Sequence, residues 1–106
     1  MRDDRGMKKI TYTMTEKVWL YGGETANWYF VTLTKKIGQE IKEKYGKSAR
    51  GFGSIPVEVA VGVTIWKTSI FPDKRAGSYV LPLKAQVRKK EDIEVGEPVT
   101  LTITVL

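Results

Sequence analysis

The chain contains no cysteine and no histidine among its 106 residues. It therefore has no thiolate nucleophile, no imidazole acid or base, and no zinc site built from these side chains. The absence of disulfides agrees with a reducing compartment. These absences exclude most familiar hydrolytic chemistry, and we expect a protein that is not an enzyme and that needs neither a metal nor a cofactor.

The sequence also lacks a long apolar segment. No apolar run approaches the roughly 20 residues of a membrane-spanning helix, and the first seven residues are charged where a signal peptide would be apolar. A cytoplasmic location is the default expectation. With 42% hydrophobic and 28% charged residues, a chain of 106 residues has the composition of one soluble domain, 1–106, with a flexible tail at 1–6.

A strand, helix and strand pattern is present twice. In the first copy the strands are 30–34 and 55–61, and in the second copy they are 79–83 and 97–103. The repeats extend over about 8–61 and 62–106. Because a chain of this length has room for one core, we predict a mainly β barrel of about six strands, with pseudo-two-fold symmetry and two helices at its ends.

Local signals place the individual elements. Ile10 to Leu20 alternates as a strand, and Thr34 is a helix N-cap for 35–45, a helix that Gly46 ends. A second, shorter helix is predicted over 84–90. The last strand alternates apolar residues with threonines. An extended run carries the following residues on one face and bends at Gly62: Val57, Val59, Val61, Val63 and Ile65.

Two stretches resemble known families. The segment from Val80 to Arg88, followed by 93–99, is similar to the half-barrel motif of AbrB- and MazE-like regulators. The segments 50–57 and 66–79 resemble a family of small microbial domains of unknown function, over nearly the whole chain from Ile10. The resemblance implies a double-split β-barrel, sometimes linked to a domain associated with bacteriocin protection and an outer-membrane protein, and it implies no activity.

The most chemically varied segment is 66–74, which mixes cations, hydroxyls and an aromatic ring. Such a mixture suits an anionic or polar small ligand, because cations neutralise charge while hydroxyls and a ring orient the bound group. Strand alternation places Trp66 and Thr68 on one face and Ser69 on the other, so at most half of the groups line one site. A hairpin with an exposed polar tip is the alternative interpretation. The predicted ligand-binding residues are Arg50, Trp66, Thr68, Ser69, Lys74, Tyr79, Lys84 and Arg88.

Other functions remain open at this stage. The net charge of +6 and the cluster of Lys84, Arg88, Lys89 and Lys90 favour contact with nucleic acid, although a solvated helix end explains the same cluster. Docking onto a protein through a sheet edge or the first helix is a further alternative. Ser69 with Lys67 or Lys74 is the one conceivable pair of nucleophile and base. No membrane partner is expected, and the sequence is compatible with a monomer.

Overall fold

The structure is a computed structural model that describes residues 10–23 and 27–106. The predicted tail at 1–6 and residues 24–26 lie outside the described residues. The described part of the chain is mainly β. Its elements are β1 Thr11–Lys17, β2 Trp19–Gly22, β3 Asn27–Thr32, α1 Lys35–Tyr45, β4 Ile55–Val61, β5 Thr64–Asp73, β6 Ser78–Pro82, α2 Ala85–Lys90 and β7 Pro98–Val105.

The strands form one curled antiparallel sheet, in the order β1-β7-β4-β5-β6-β3-β2, which makes a half-barrel. The long strand β5 changes partner along its length. Residues 64–70 pair with β4, and Phe71–Asp73 pair with β6. The mainly β class and the two helices agree with the sequence-based prediction.

The predicted first strand, Ile10 to Leu20, is divided at Val18. The Val18 N–H donates to the Glu97 carbonyl, and the Val18 carbonyl accepts from the Gly96 N–H. These bonds to the loop before β7 interrupt the ladder, so β1 pairs with β7 while β2 pairs with β3. The described residues therefore contain seven strands where about six were predicted.

The concave face of the sheet carries the core. Alternate residues of β4 and of β7 are buried, and Ile41 of α1 and Val87 of α2 join them in one hydrophobic cluster. On the other face, the threonines of β7 meet those of β1. The Thr15 and Thr100 hydroxyls are 2.7 Å apart, and the Thr11 and Thr104 hydroxyls are 3.0 Å apart. The predicted alternation of the last strand is confirmed.

The first helix begins and ends where its sequence signals placed it. The Thr34 hydroxyl accepts a hydrogen bond from the Ile37 N–H at 3.3 Å, which satisfies one of the free donors of the first turn. The helix ends at Gly46, as predicted. Gly46 has a right-handed φ of −59°, however, so the chain continues into a 3-10 turn and does not stop in a left-handed cap.

One predicted face is wrong. Val63 is 91% exposed and Ile65 is 64% exposed, so neither shares the buried face of Val57, Val59 and Val61. The reason is a tight hairpin: Val61 lies opposite Thr64, which leaves Gly62, with φ +56°, and Val63 as a two-residue turn. Opposite residues share a face, so the apolar alternation shifts by one position across the turn.

Candidate ligand-binding cleft

The second helix is too short to be stable alone and depends on tertiary contacts. Its Val87 is 1% exposed and belongs to the core. Just after the helix, the Glu91 carboxylate accepts a hydrogen bond from the Thr64 hydroxyl at the start of β5. These contacts fix α2 against the concave side of the sheet, so the basic residues of α2 occupy defined positions.

Arg88 is held in place by two contacts. Its Nε donates to the Leu83 carbonyl at 3.0 Å, and its Cζ lies 3.5 Å from the centre of the Tyr29 ring. A guanidinium has five N–H donors in a fixed plane, and the bond to Leu83 uses one of them. Arg88 is therefore a pre-oriented, partly buried cation with further donors available for a ligand.

Arg88 lines a cleft of about 240 Å³ between α2 and strands β3, β5 and β6. We call it the basic cleft. Three of its lining residues are cations, and no carboxylate is among the described residues that line it. Lys67 lies opposite Glu58 across the β4 and β5 pair, which balances part of its charge. The residues that line the basic cleft are Asn27, Trp28, Tyr29, Trp66, Lys67, Thr68, Pro82, Leu83, Lys84, Ala85 and Arg88.

A larger cavity of about 570 Å³ adjoins the basic cleft. Trp66 and Lys84 line both spaces, and Lys89 and Lys90 line the larger one. Five cations in all line the two adjoining spaces: Lys67, Lys84, Arg88, Lys89 and Lys90. Clustered cations in a concave site attract anions more strongly than the same charges spread over a convex surface.

The structure brings together four of the eight predicted site residues. Trp66, Thr68, Lys84 and Arg88 all line the basic cleft. Ser69 does not line it, although Lys67, which shares its face of β5, does. Trp66 and Thr68 come from one face of β5 and Lys67 from the other, so strand alternation alone does not decide which groups of β5 line the cleft.

Lys74 and Tyr79 lie at a separate cavity of about 430 Å³, between α1 and the turn that follows β5. Burial raises the pKa of the Tyr79 phenol, so this side chain is neutral at ordinary pH. Lys42 also lines this cavity, as does the carboxylate-bearing Asp73. The sequence-based prediction joined Lys74 and Tyr79 to the Trp66 site, and the structure places them apart from it.

Arg50 precedes the 3-10 turn Gly51–Gly53 and is exposed. The N–H groups of Arg50, Gly53 and Ser54 donate to carbonyls of the same loop at 2.8–3.2 Å. These three N–H groups are thus used within the loop. Arg50 is not among the residues that line the basic cleft.

The sequence argument missed Asn27, Trp28 and Tyr29 as cleft residues. They belong to β3, a central strand that lies between β2 and β6. A usable signal was the alternation that puts Tyr29 on the same face as the buried Val31. That position places Tyr29 on the face that carries the core, where α2 also packs.

Within the described residues, no helix has the length and apolar character needed to cross a bilayer. In the same part of the chain, no group of three or more acidic residues is arranged to hold a metal ion. A family model described as a domain of unknown function, DUF1905, matches residues 15–103. The chain belongs to the DUF1905 family. No curated protein matches it.

The DUF1905 match confirms the expected membership of a small family of unknown function. It begins within β1 and ends within β7, so it includes every element that lines the basic cleft. The cleft is therefore part of the DUF1905 domain itself and is not formed by a segment added to it.

Proposed function

We propose that this protein is a non-enzymatic module that binds an anionic ligand in the basic cleft. The observation that carries the proposal is the fixed guanidinium of Arg88, 3.5 Å from the Tyr29 ring and beside Lys84, in a cleft whose described lining has no carboxylate. A pre-oriented arginine loses little conformational entropy on binding and forms charge-assisted hydrogen bonds with phosphate or carboxylate oxygens.

The neutral lining residues supply orientation. Thr68 offers a hydroxyl and Asn27 an amide, while Trp28 and Trp66 offer flat aromatic surface. The volume of about 240 Å³ lies below the range of a pocket that encloses a whole drug-sized molecule. We therefore propose that the cleft receives one charged group of a larger ligand and that the rest of the ligand lies outside it.

The absence of catalysis is also part of the proposal. Ser69, the one conceivable nucleophile, is not among the cleft-lining residues, and it pairs with Pro56 on the outer side of β5. A hydroxyl becomes a useful nucleophile when a base within hydrogen-bond reach activates it next to the bound substrate. Because Ser69 lies outside the basic cleft, it is not next to a ligand bound there.

The proposal is tested by titrating inorganic pyrophosphate into the protein and following tryptophan fluorescence, because Trp28 and Trp66 line the cleft. We expect saturable binding that weakens about tenfold in Lys84→Gln, since one charge-assisted hydrogen bond contributes about 1.5–3 kcal/mol. Arg88→Lys should also weaken binding, because it keeps the charge but loses the planar fork and the contact with Tyr29.

Lys36→Gln is the matched control. Lys36 is an exposed lysine of α1 that lines none of the cleft, and its removal changes the net charge by the same amount. If Lys36→Gln weakens pyrophosphate binding as much as Lys84→Gln does, the attraction is general and the proposed site is wrong. Glucose, which is polar but uncharged, should not bind.

We further propose that the half-barrel is a double-split barrel built from two related halves, with a distant relationship to AbrB- and MazE-like proteins. Two features support this. The segments β3-α1-β4 and β6-α2-β7 follow the same order, with β3 paired to β6 and β4 paired to β7. The opening strands also correspond. The first half opens with β1 and β2, which pair with β7 and then β3, and the second half opens with β5, which pairs with β4 and then β6.

A further inference from the structure

The outer surface of β2, β3, β6 and the end of β5 carries a cluster of large apolar side chains. We call it the aromatic face. Cross-strand pairing arranges its members in rows: Tyr21 lies opposite Trp28, Phe30 lies between Trp19 and Pro82, and Val80 lies opposite Phe71. The members of the aromatic face are Trp19, Tyr21, Trp28, Phe30, Phe71, Val80 and Pro82.

Several of these side chains are open to solvent. Tyr21 is 59% exposed, Trp28 is 55% exposed and Phe71 is 39% exposed. A contiguous exposed apolar patch is unusual on a protein surface and marks a site of interaction. The aromatic face is therefore a candidate interaction site, and its rings suit a ligand with flat, apolar groups.

The rings are held in defined positions. Trp28 and Phe30 are within 13° of parallel, with centroids 6.5 Å apart, and the Trp19 centroid lies 5.0 Å from that of Phe30. The Trp19 indole N–H donates to the Thr32 hydroxyl at 2.8 Å. A fixed ring loses little entropy when a planar group stacks on it, so the aromatic face is suited to stacking.

The aromatic face and the basic cleft share residues. Trp28 and Pro82 line the basic cleft, and they also line a groove of about 350 Å³ on the aromatic face, together with Tyr21, Phe30, Phe71 and Val80. Cations and stacking surface are thus adjacent, on either side of Trp28. One ligand in contact with both would combine anionic groups with planar apolar groups.

We propose that this ligand is a single-stranded nucleic acid, whose phosphates occupy the basic cleft and whose bases stack on the aromatic face. This inference rests on the proposed anion-binding function and names its ligand. Proteins that bind single strands combine a basic groove with aromatic side chains on which successive bases stack. A duplex fits less well, because its bases are already stacked on each other.

The chemistry of the face also discriminates against an oligosaccharide. Among the described side chains that line the groove, Tyr21 and Trp28 carry the polar atoms, one hydroxyl and one indole N–H. The hydroxyl groups of a sugar would find few partners there, and an unpaired polar group costs free energy when it is desolvated. A base presents an apolar π-face and needs no such partners.

The test is fluorescence anisotropy with labelled oligonucleotides of about twelve nucleotides, within the range of site sizes of small single-strand-binding domains. We use oligothymidylate, oligouridylate and an abasic strand of equal length and charge, with a duplex as a fourth probe. We expect both base-containing single strands to bind at least about tenfold more tightly than the abasic strand, because stacking of one base accounts for about that factor.

Variants then separate the two surfaces. Tyr21→Ala should weaken oligothymidylate binding about tenfold and leave pyrophosphate binding unchanged, because Tyr21 lines the aromatic groove and not the basic cleft. Lys84→Gln should reduce the slope of log affinity against log salt by about 0.7, the contribution of one phosphate contact on a single strand. Phe52→Ala is the matched control, because Phe52 is 96% exposed and lines neither the aromatic groove nor the basic cleft.

Each contrary result has a distinct meaning. Equal affinity for the abasic strand and oligothymidylate, or tighter binding of the duplex, overturns the single-strand inference while pyrophosphate binding sustains the basic cleft. An unchanged affinity in Tyr21→Ala also overturns the inference. If pyrophosphate does not bind and Lys84→Gln has no effect on any probe, the proposed function itself fails.

Discussion

Single residues decide how closely the helices approach the sheet. Gly38 in α1 is buried, and a Cβ atom placed there would lie 2.9 Å from the Ser78 Cβ and 3.0 Å from the Ser78 Cα. The Ser78 hydroxyl donates to the Thr34 carbonyl at 3.1 Å, which ties β6 to the start of α1. Gly38 is therefore required by the space between these elements, although a glycine weakens a helix by itself.

We predict that Gly38→Ala destabilises the protein by about 1–2 kcal/mol. Overpacking costs about 1–3 kcal/mol, and the higher helix propensity of alanine recovers up to about 1 kcal/mol of this. Urea denaturation measures the difference. Gly46→Ala is the control, because Gly46 has a right-handed φ and the nearest atom to its added Cβ is Lys42 Cγ at 3.6 Å. A loss of stability in Gly46→Ala equal to that in Gly38→Ala would show that close packing is not the cause.

At the scale of elements, α2 shows how a helix of six residues remains folded. Its Val87 is buried, but its first residue has no side-chain cap. The hydrogen bond from the Thr64 hydroxyl to Glu91 fastens the other end to β5. The position of the basic cleft therefore depends on a contact outside it.

We predict a coupling of about 1–2 kcal/mol between Thr64 and Glu91 in a double-mutant cycle with Thr64→Val and Glu91→Ala. Hydrogen bonds to charged groups contribute about 1.5–3 kcal/mol, and partial exposure lowers that value. Chemical denaturation of the four proteins measures the coupling. In a parallel cycle, Glu94→Ala replaces Glu91→Ala, because Glu94 is exposed and should be independent of Thr64. Equal coupling in both cycles would rule out the specific bond.

The elements that could be predicted from the sequence are those with local signals. Thr34 and Gly46 bounded α1, and the alternating threonines of β7 gave its two faces. The faces of Val63 and Ile65 were missed because a two-residue turn shifts the alternation, and sequence period alone does not reveal that reversal. The contact of Arg88 with Tyr29 was missed for a different reason, since it depends on how distant segments of the chain meet.

On the scale of the whole molecule, both predicted repeats contribute to one core. Leu33 belongs to the first repeat and Leu101 to the second, each is 1% exposed, and both are members of the same hydrophobic cluster. Strands from the two halves are also interleaved in the sheet, with β7 between β1 and β4, and with β5 and β6 between β4 and β3. Neither half has a separate set of sheet neighbours, so the halves should unfold together.

We predict that Leu33→Ala lowers the stability of the entire domain by about 2–5 kcal/mol, the usual cost of a cavity in a core. The test uses a background with Trp19→Phe and Trp28→Phe, so that Trp66, in the second repeat, is the one fluorescent tryptophan. The midpoints measured by Trp66 fluorescence and by far-UV circular dichroism should fall together, because a cooperative transition has one midpoint for all probes.

Val63→Ala is the control at an exposed position. A Trp66 midpoint that stays in place while circular dichroism detects an earlier transition would mean that the halves fold around separate interiors, and the basic cleft, which β3 and β5 build jointly, would then lack a fixed frame.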